Sequence, residues 1–433
     1  VGRVTFVKKK LLIVQVAALS RDLGLTGLTF RPAGSVFPAV TSTVQASFRT
    51  ASPPAKHGMV SNGLFFRHLR RPMFWEQSAS LVQGPRIWEG FRRKGKRVAM
   101  LFWQQSLGED VDIVLSPAPI HKHHGGMVQD CYGKPSYLYQ FLCKRIGRPF
   151  KLGQYWGPMA SWKVGKWVVD ATCEILKNPD LRPDLCLTYV PTLDYDLQRK
   201  GPQDSASVHD KVAEQLERLK KIASQNEYEL LIFGDYQIAP VTGAVLPNVV
   251  LRKAGLMDVR MVSGMAYPDF YASRAFAVAD HEVAHVYVRE EGDRAKARKI
   301  LSELPGVAQV LDGNGLVEVG LKHENSGDLV LVAEQGKWIA YPWWLERREA
   351  PEFAGHVDIH NKPGYDPCEL FLGWPPGSVS QNNKRIRGSH GRVGPGREVR
   401  WAATFPIPNE ISDLIQLAAV VKGWLDEGGY EDI

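Results

Sequence analysis

Residues 37–62 read FPAVTSTVQASFRTASPPAKHGMVSN, from Phe37 to Asn62, and the reading of the whole chain turns on them. A turn at Pro38 leads into the hydroxyls of Thr41, Ser42 and Thr43. A short apolar segment, a Pro53-Pro54 break, His57-Gly58 and Asn62 follow. A hydroxyl where a loop becomes a helix lies beside backbone N–H groups that have no acceptor within the helix. Those donors and the helix dipole favour a phosphate there. Thr41 is therefore a candidate nucleophile, and a neutral threonine needs a base or a metal ion to activate it. The rival reading is a plain Ser/Thr-rich helix cap, a common use of such hydroxyls.

The order of residues in this stretch resembles the alkaline phosphatase superfamily, in its branch of type I phosphodiesterases and nucleotide pyrophosphatases. That branch carries P-x-x-T followed by T-G-x-x-P-x-x-H-G-I-V-x-N. Thr41 falls on the family nucleophile, and Thr50, Pro54, His57, Gly58, Met59, Val60 and Asn62 follow in register, with Ala51 in place of the family glycine. The resemblance implies that Asn62 contacts the substrate phosphate. It also implies an α/β fold: a three-layer sandwich with a central, mostly parallel sheet and a small inserted lobe.

Length and composition agree with such a fold. The chain has 433 residues, 44% of them hydrophobic and 23% charged, which is ordinary globular composition. No apolar run reaches the length of a membrane span. The net charge of +8 suits anionic partners without choosing among phosphate esters, nucleic acid and a membrane surface. Five cysteines at 131, 143, 173, 186 and 368 have no C-x-x-C spacing, so reduced thiols in a cytoplasmic protein are expected. Lys8-Lys9-Lys10 before LLIVQVAALS has the outline of a signal peptide, but a buried first strand of a parallel sheet is the preferred reading. The chain starts at Val1 and not Met, which leaves room for a cleaved or missing upstream segment.

Further candidates lie along the chain. LCLTYV (Leu185 to Val190) reads as a buried parallel strand with Asp194 just beyond its C-terminal end, where open α/β sheets place their sites. Tyr228 to Phe233 reads as another strand and delivers Asp235. The resemblance makes Asp194 and Asp235 metal ligands. It also shows what has changed. Ala17 stands where the family has an aspartate in a V-D-G-L pattern, Gln198 where it has a histidine four residues after Asp194, and Tyr236 where it has the histidine of S-D-H-G.

The histidines are open to several readings. His281 and His285, in a β-branched alternating stretch, read as a strand with both rings on one face, and His281 follows Asp280. For the late metal ligand there are two candidates. His390 lies in S-H-G, a motif of phosphonoacetate hydrolases, and His360 echoes the H-G-Y-D run of nucleotide pyrophosphatases; His390 is preferred. PAPIHKHHGG (117–126) reads as a polar surface loop. The Arg- and aromatic-rich stretch from Phe65 to Gly108 reads as a basic face over aromatic packing in preference to a nucleic-acid surface. Residues 291–344 read as an inserted lobe within a core of 8–290 and 345–433, with a strand over Gly315 to Leu321.

The resulting expectation is a metal-dependent hydrolase of phosphodiester, nucleotide pyrophosphate or phosphonate substrates. Thr41 and Asn62 would act on a small phosphorylated substrate. Asp194, Asp235, His390, His360 and His281 would be the ligand candidates for zinc, with manganese as the alternative. The three replaced ligand positions support a second expectation, a catalytically impaired relative that binds a phosphorylated ligand.

Overall fold

The computed structural model describes residues 10–124 and 126–427. Lys8 and Lys9, the basic start of the N-terminal stretch, lie outside the described residues. The apolar run after them is the strand Lys10–Val16. Its residues from Leu11 on are buried, as a strand covered on both faces requires.

That strand is near the centre of an eight-stranded sheet. It pairs in parallel with Leu185–Val190 on one side and Tyr228–Gly234 on the other. Val98–Leu101 and Ile113–Pro117 continue the parallel run beyond Leu185–Val190. The edges are antiparallel: Val399–Ala403 and Arg31–Ala33 on one side, Cys131–Lys134 on the other. Helices Trp162–Lys177 and Ala206–Gln225 pack together and against the sheet. Helix Thr41–Thr50 also lies on the sheet, with Phe48 stacked on Phe233 at 4.4 Å. One hydrophobic cluster runs through all of these elements.

A second cluster surrounds a separate four-stranded antiparallel sheet, ordered Ala275–Asp280, Val283–Val288, Leu329–Ala333 and Val307–Leu311. Helices Pro247–Lys253 and Glu291–Ser302 belong to it. The stretch expected as a strand at 315–321 is instead the helix Gly313–Glu318. It starts at Asp312, whose carbonyl accepts from Leu316 N–H, and buries Leu316. The alternation of apolar residues there imitates a strand, but a one-turn element needs only one buried residue.

The two sheets meet at one place that matters for function. The hairpin between Ala275–Asp280 and Val283–Val288 turns at His281-Glu282, and its tip is tied into the first unit. Glu282 N–H donates to His390 C=O at 2.8 Å, and Arg397 forms a two-pronged ion pair with the buried Glu282 carboxylate. The C-terminal ends of the central parallel strands point to the same place. Val16 runs into Ala17, Leu185–Val190 leads to Asp194, and Tyr228–Gly234 leads to Asp235.

Candidate functional site

Thr41 is the first residue of its helix. Val40 before it is extended (φ −131°, ψ 152°), and no side chain of that residue caps the helix. Asn62 does the capping from a distance: its Oδ1 accepts from Ser42 N–H at 2.9 Å. Among the described residues, the N–H groups of Thr41 and Thr43 have no acceptor. Thr41 opens onto a cavity of about 810 Å³. Tyr189 and Tyr236 line the same cavity. Trp75, Phe102, Tyr155 and Trp156 give the cavity aromatic walls, and among the described residues no lysine or arginine lines it.

Asp194 lines this cavity, Asp235 is buried next to the lining residue Tyr236, and both carboxylates are occupied by protein donors. Asp194 is in the first turn of helix Thr192–Lys200. Its Oδ1 accepts from the Tyr236 phenol at 3.0 Å and its Oδ2 from the Gln198 amide at 2.7 Å. Gln198 in turn shares a hydrogen bond with Tyr365. Asp235 accepts from Ala18 N–H and Tyr236 N–H on one oxygen, each at 3.0 Å, and from Gln15 on the other at 2.9 Å. Burial raises the pKa of both carboxyls, that of Asp235 to about 7, because a desolvated carboxylate is costly.

The histidines separate by their hydrogen bonds. His390 is in the site: its Nδ1–H donates to Ala39 C=O at 2.7 Å, and its Nε2 lies 3.8 Å from Asp194 Oδ1. Tyr236 stacks flat on its ring, centroids 3.5 Å apart. Burial holds its pKa well below the usual imidazole value. His281 also lines the cavity, its ring 3.7 Å from that of His390 and 3.6 Å from that of Tyr365.

The expected strand placement of the His281/His285 pair is corrected here. His281 is in the hairpin turn with φ +61°, and only His285 is in the strand. The two rings therefore do not share a face. His285 has both nitrogens engaged, with Val60 C=O at 3.1 Å and Gly327 N–H at 3.0 Å. His57 is likewise engaged on both sides, by Ser47 and Met59 N–H. Both are buried structural histidines with pKa values lowered by desolvation, to about 3 for His57 and about 4 for His285. His360 is on the cavity wall, bonded to Phe74 C=O at 3.2 Å, with no contact to Asp194 or Asp235.

The sequence noted Asp280 only as the neighbour of His281, and it did not single out Tyr365 or Lys362. Asp280 is a hub: it accepts from Ser61 Oγ, Asn62 N–H, Asn62 Nδ2 and His281 Nδ1, at 2.6 to 3.1 Å. Tyr365 bridges Gln198 and His281. Lys362, 1% exposed, pins the cavity wall by pairing with Asp366 at 2.8 Å and Glu369 at 2.7 Å. The i,i+4 spacing of Lys362 and Asp366 was the one local signal of that pin. The basic stretch expected as a solvated face is partly internal bracing. Arg49 is fully buried against the Gln104 and Gln105 carbonyls and Glu109, and Arg86 joins it on Glu109. The loop with His121, His123 and His124 is exposed, and among the described residues no group of three or more His, Cys, Asp or Glu side chains is arranged so that it could hold a metal ion.

The donor set therefore does not fit the divalent ions that the resemblance implies. Carboxylate oxygens that would bind a cation are filled by N–H and O–H donors, and the Tyr236 ring covers His390 where an ion would need room. Ala17, fully buried, offers no ligand atom.

The profile of the family described as type I phosphodiesterase / nucleotide pyrophosphatase matches residues 19–366. A sequence comparison with curated proteins found no match. Among solved structures, phosphonoacetate hydrolase from Sinorhizobium meliloti 1021, in complex with phosphonoformate, superposes with a TM-score of 0.62 at 16% identity, over 97% of this chain and 96% of that one. Murine ectonucleotide pyrophosphatase/phosphodiesterase 5 gives 0.61 at 14% identity, over 96% and 95%. An inactive threonine-to-alanine variant of the murine protein in complex with AMP gives 0.60 at 15%, over 96% and 95%. At such identities these likenesses show the shared alkaline-phosphatase-like α/β fold. The family is typically metal-dependent. With its profile matched over most of the length and the fold in agreement, the chain belongs to the type I phosphodiesterase / nucleotide pyrophosphatase family of hydrolases.

Proposed function

We propose that this chain hydrolyses a phosphodiester, pyrophosphate or phosphonate bond of a small molecule, with Thr41 as the nucleophile. The observation that carries the reading is Thr41 at a helix N-terminus, open to an aromatic-walled cavity of about 810 Å³. The free N–H groups of the first turn favour the anionic oxygens of the bound group. Asp194 shares the cavity with Thr41, and its raised proton affinity suits it to receive the proton that leaves the threonine. The threonine-to-alanine variant of the murine relative is described as inactive, which supports the same role for Thr41. Phosphonoformate and AMP in the relatives support a small phosphonate or nucleotide-like ligand here. The five unpaired cysteines support a reducing, cytoplasmic setting.

Zinc or manganese is not part of this reading, because the donor set does not fit either ion. That misfit also favours the second reading, a chain that binds a phosphorylated ligand and turns it over slowly or not at all. Turnover of a chromogenic phosphodiester by wild type and by Thr41→Ala tests the proposal. Activity lost with Thr41 supports hydrolysis through this residue. Activity equal in the two proteins removes Thr41 from the mechanism, and no activity in either leaves only the binding role.

A further inference from the structure

Part of the cavity wall is built from two segments that lie far apart in the chain. The residues after helix Leu152–Tyr155 supply Trp156, and a loop two hundred positions later supplies Val357, Asp358 and His360. The two segments touch, for Gly157 lies against Val357 with only 3.3 Å of room for a Cβ before Val357 Cγ2. One buried carboxylate, that of Glu369, holds both. Its Oε1 accepts from Asp358 N–H at 2.9 Å and pairs with Lys362 Nζ at 2.7 Å, and its Oε2 accepts from the Trp156 indole N–H. Lys362 completes the clasp by donating to His356 C=O at 2.9 Å and to Asp366 at 2.8 Å.

Burying charge in this way is a poor route to stability. Glu369 and Lys362 are each 1% exposed, and Asp366 is buried with them. Such a cluster is often no more stabilising than well-packed apolar residues of the same volume. What it supplies is direction, because hydrogen bonds to charged groups fix angles that apolar contact leaves free. Here the direction falls on the ligand cavity. Trp156 is only half-buried, and its neighbours Tyr365 and Tyr195 meet it at an angle, with ring centroids 5.5 and 6.4 Å away. Those contacts restrain the indole loosely. The bond from its N–H to Glu369 fixes its rotation.

We propose that Glu369 is a positioning residue for specificity: by fixing the Trp156 indole, it makes the site select ligands whose anionic head carries a flat aromatic body. The inference rests on the functional reading above, which puts the anionic head at Thr41, and adds how the rest of the ligand is chosen. An indole held in one orientation offers a fixed face for stacking, with Trp75, Phe102 and Tyr155 on the same cavity. A freely turning indole offers the same apolar area without a preferred geometry. Glu369→Gln releases the indole selectively. Oε1 serves two donors and Oε2 serves one, so the amide oxygen of glutamine takes the place of Oε1. Its NH2 group then meets the indole N–H, donor against donor, while Asp358 and Lys362 stay held.

The test is calorimetric titration of phenylphosphonate and of methylphosphonate into wild type, Glu369→Gln, Trp156→Phe and the double variant. Wild type is expected to bind phenylphosphonate more tightly. Glu369→Gln is expected to weaken phenylphosphonate about fivefold, the size of one oriented aromatic contact, and methylphosphonate less than about twofold. Trp156→Phe keeps a ring but loses the N–H, and is expected to lower the preference for phenylphosphonate likewise. The double variant should lose no more than the larger single loss, because both changes break one link. A general loosening of the wall would instead weaken both ligands alike and add in the double variant. Equal weakening, additive losses, an unchanged phenylphosphonate affinity or no preference in wild type overturns the inference and leaves the functional reading standing. Absence of binding of either ligand to wild type overturns the functional reading and the inference with it. If Glu369→Gln does not fold, Trp156→Phe decides, and an unchanged preference there overturns the inference.

Discussion

Around Thr41 the polar atoms are left open to the cavity, whereas around Asp194 and Asp235 they are closed on one another. On the first side, the threonine hydroxyl and the N–H groups of Thr41 and Thr43 await a partner. On the second, Gln15, Ala18, Gln198 and Tyr236 have filled both carboxylates, and Tyr236 has roofed His390. A site that depended on metal would show the reverse on the second side: free carboxylate oxygens and an uncovered imidazole. The difference teaches that the cradle for the reacting group and the device for holding a cation are physically separable. On the proposed reading, the first is open to a ligand and the second is closed into an internal hydrogen-bond network.

The comparison is sharpened most by removing the open side. Thr41→Ala should lower turnover of a chromogenic phosphodiester by at least about a thousandfold, because a nucleophile acts as one unit with its activating groups. The melting temperature should hardly move, since only a hydroxyl at the first helical position is lost. Retention of full turnover would shift the chemistry to Ser42 or Thr43.

Opening the closed side comes next. Wild type should carry well under two equivalents of metal after dialysis against a weak chelator, as read by elemental analysis. The combined reversion Ala17→Asp, Gln198→His and Tyr236→His should raise that content by more than any one reversion does, because ligands of one ion act jointly. Without metal the triple variant should melt below wild type, since it buries an extra carboxylate and opens the Tyr236 contacts. Two tightly held ions in the unmodified protein would break the comparison outright.

A gentler probe is Asp235→Asn. The rise of its pKa from 3.8 to about 7, at about 1.4 kcal/mol per pH unit, corresponds to about 4 kcal/mol. The sign follows from the raised value. The folded state keeps the proton longer than the unfolded chain, so this group's contribution is full below about pH 4 and is lost as pH rises through 7. Asparagine removes that loss. Gln15 Oε1, which has no partner now, can accept from the new amide once the Gln15 amide turns over. Asp235→Asn should therefore raise the melting temperature at pH 8 and change it little at pH 4. A drop at pH 8 that zinc had previously protected against would mean that Asp235 holds a metal.

The smallest expected effect comes from the buried histidines that brace the open side. Their depressed pKa values, about 3 for His57 and about 4 for His285, have the opposite sign to that of Asp235. The stability they contribute is present above pH 6.5 and is lost as pH falls toward 4. His285→Gln should flatten the fall in melting temperature between pH 6.5 and pH 4, at some cost at pH 8. An unchanged acid profile would show that the ring is not the group that resists protonation.

Much of the molecule was legible in the chain itself. The strands at 185–190 and 228–234, the helices near 162–177 and 206–225, and the position of Thr41 at a helix start all follow from local patterns. Apolar runs, helical spacing and a Pro-anchored turn act within a few residues of one another. The replacement of ligands by Ala17, Gln198 and Tyr236 was legible for the same reason, since each falls at a fixed spacing from a recognisable neighbour. What those replacements do was not. Tyr236 meets Asp194 across 42 positions, Gln198 meets Tyr365 across 167, and Asp280 meets Ser61 across 219. No local spacing encodes such contacts. Whether a buried carboxylate is free for a cation or spent on protein donors is decided only when distant elements pack together. The same holds for His281: its alternating neighbours read as strand, but the fold places it in a left-handed turn because the second sheet's hairpin must end where the first sheet's strands do. The sequence by itself determined the family and the strand and helix framework, and placed Thr41 at a helix start, through short-range stereochemistry. The tertiary structure alone decided which polar groups remain open to a ligand, because that depends on which donors the rest of the chain brings within hydrogen-bond distance.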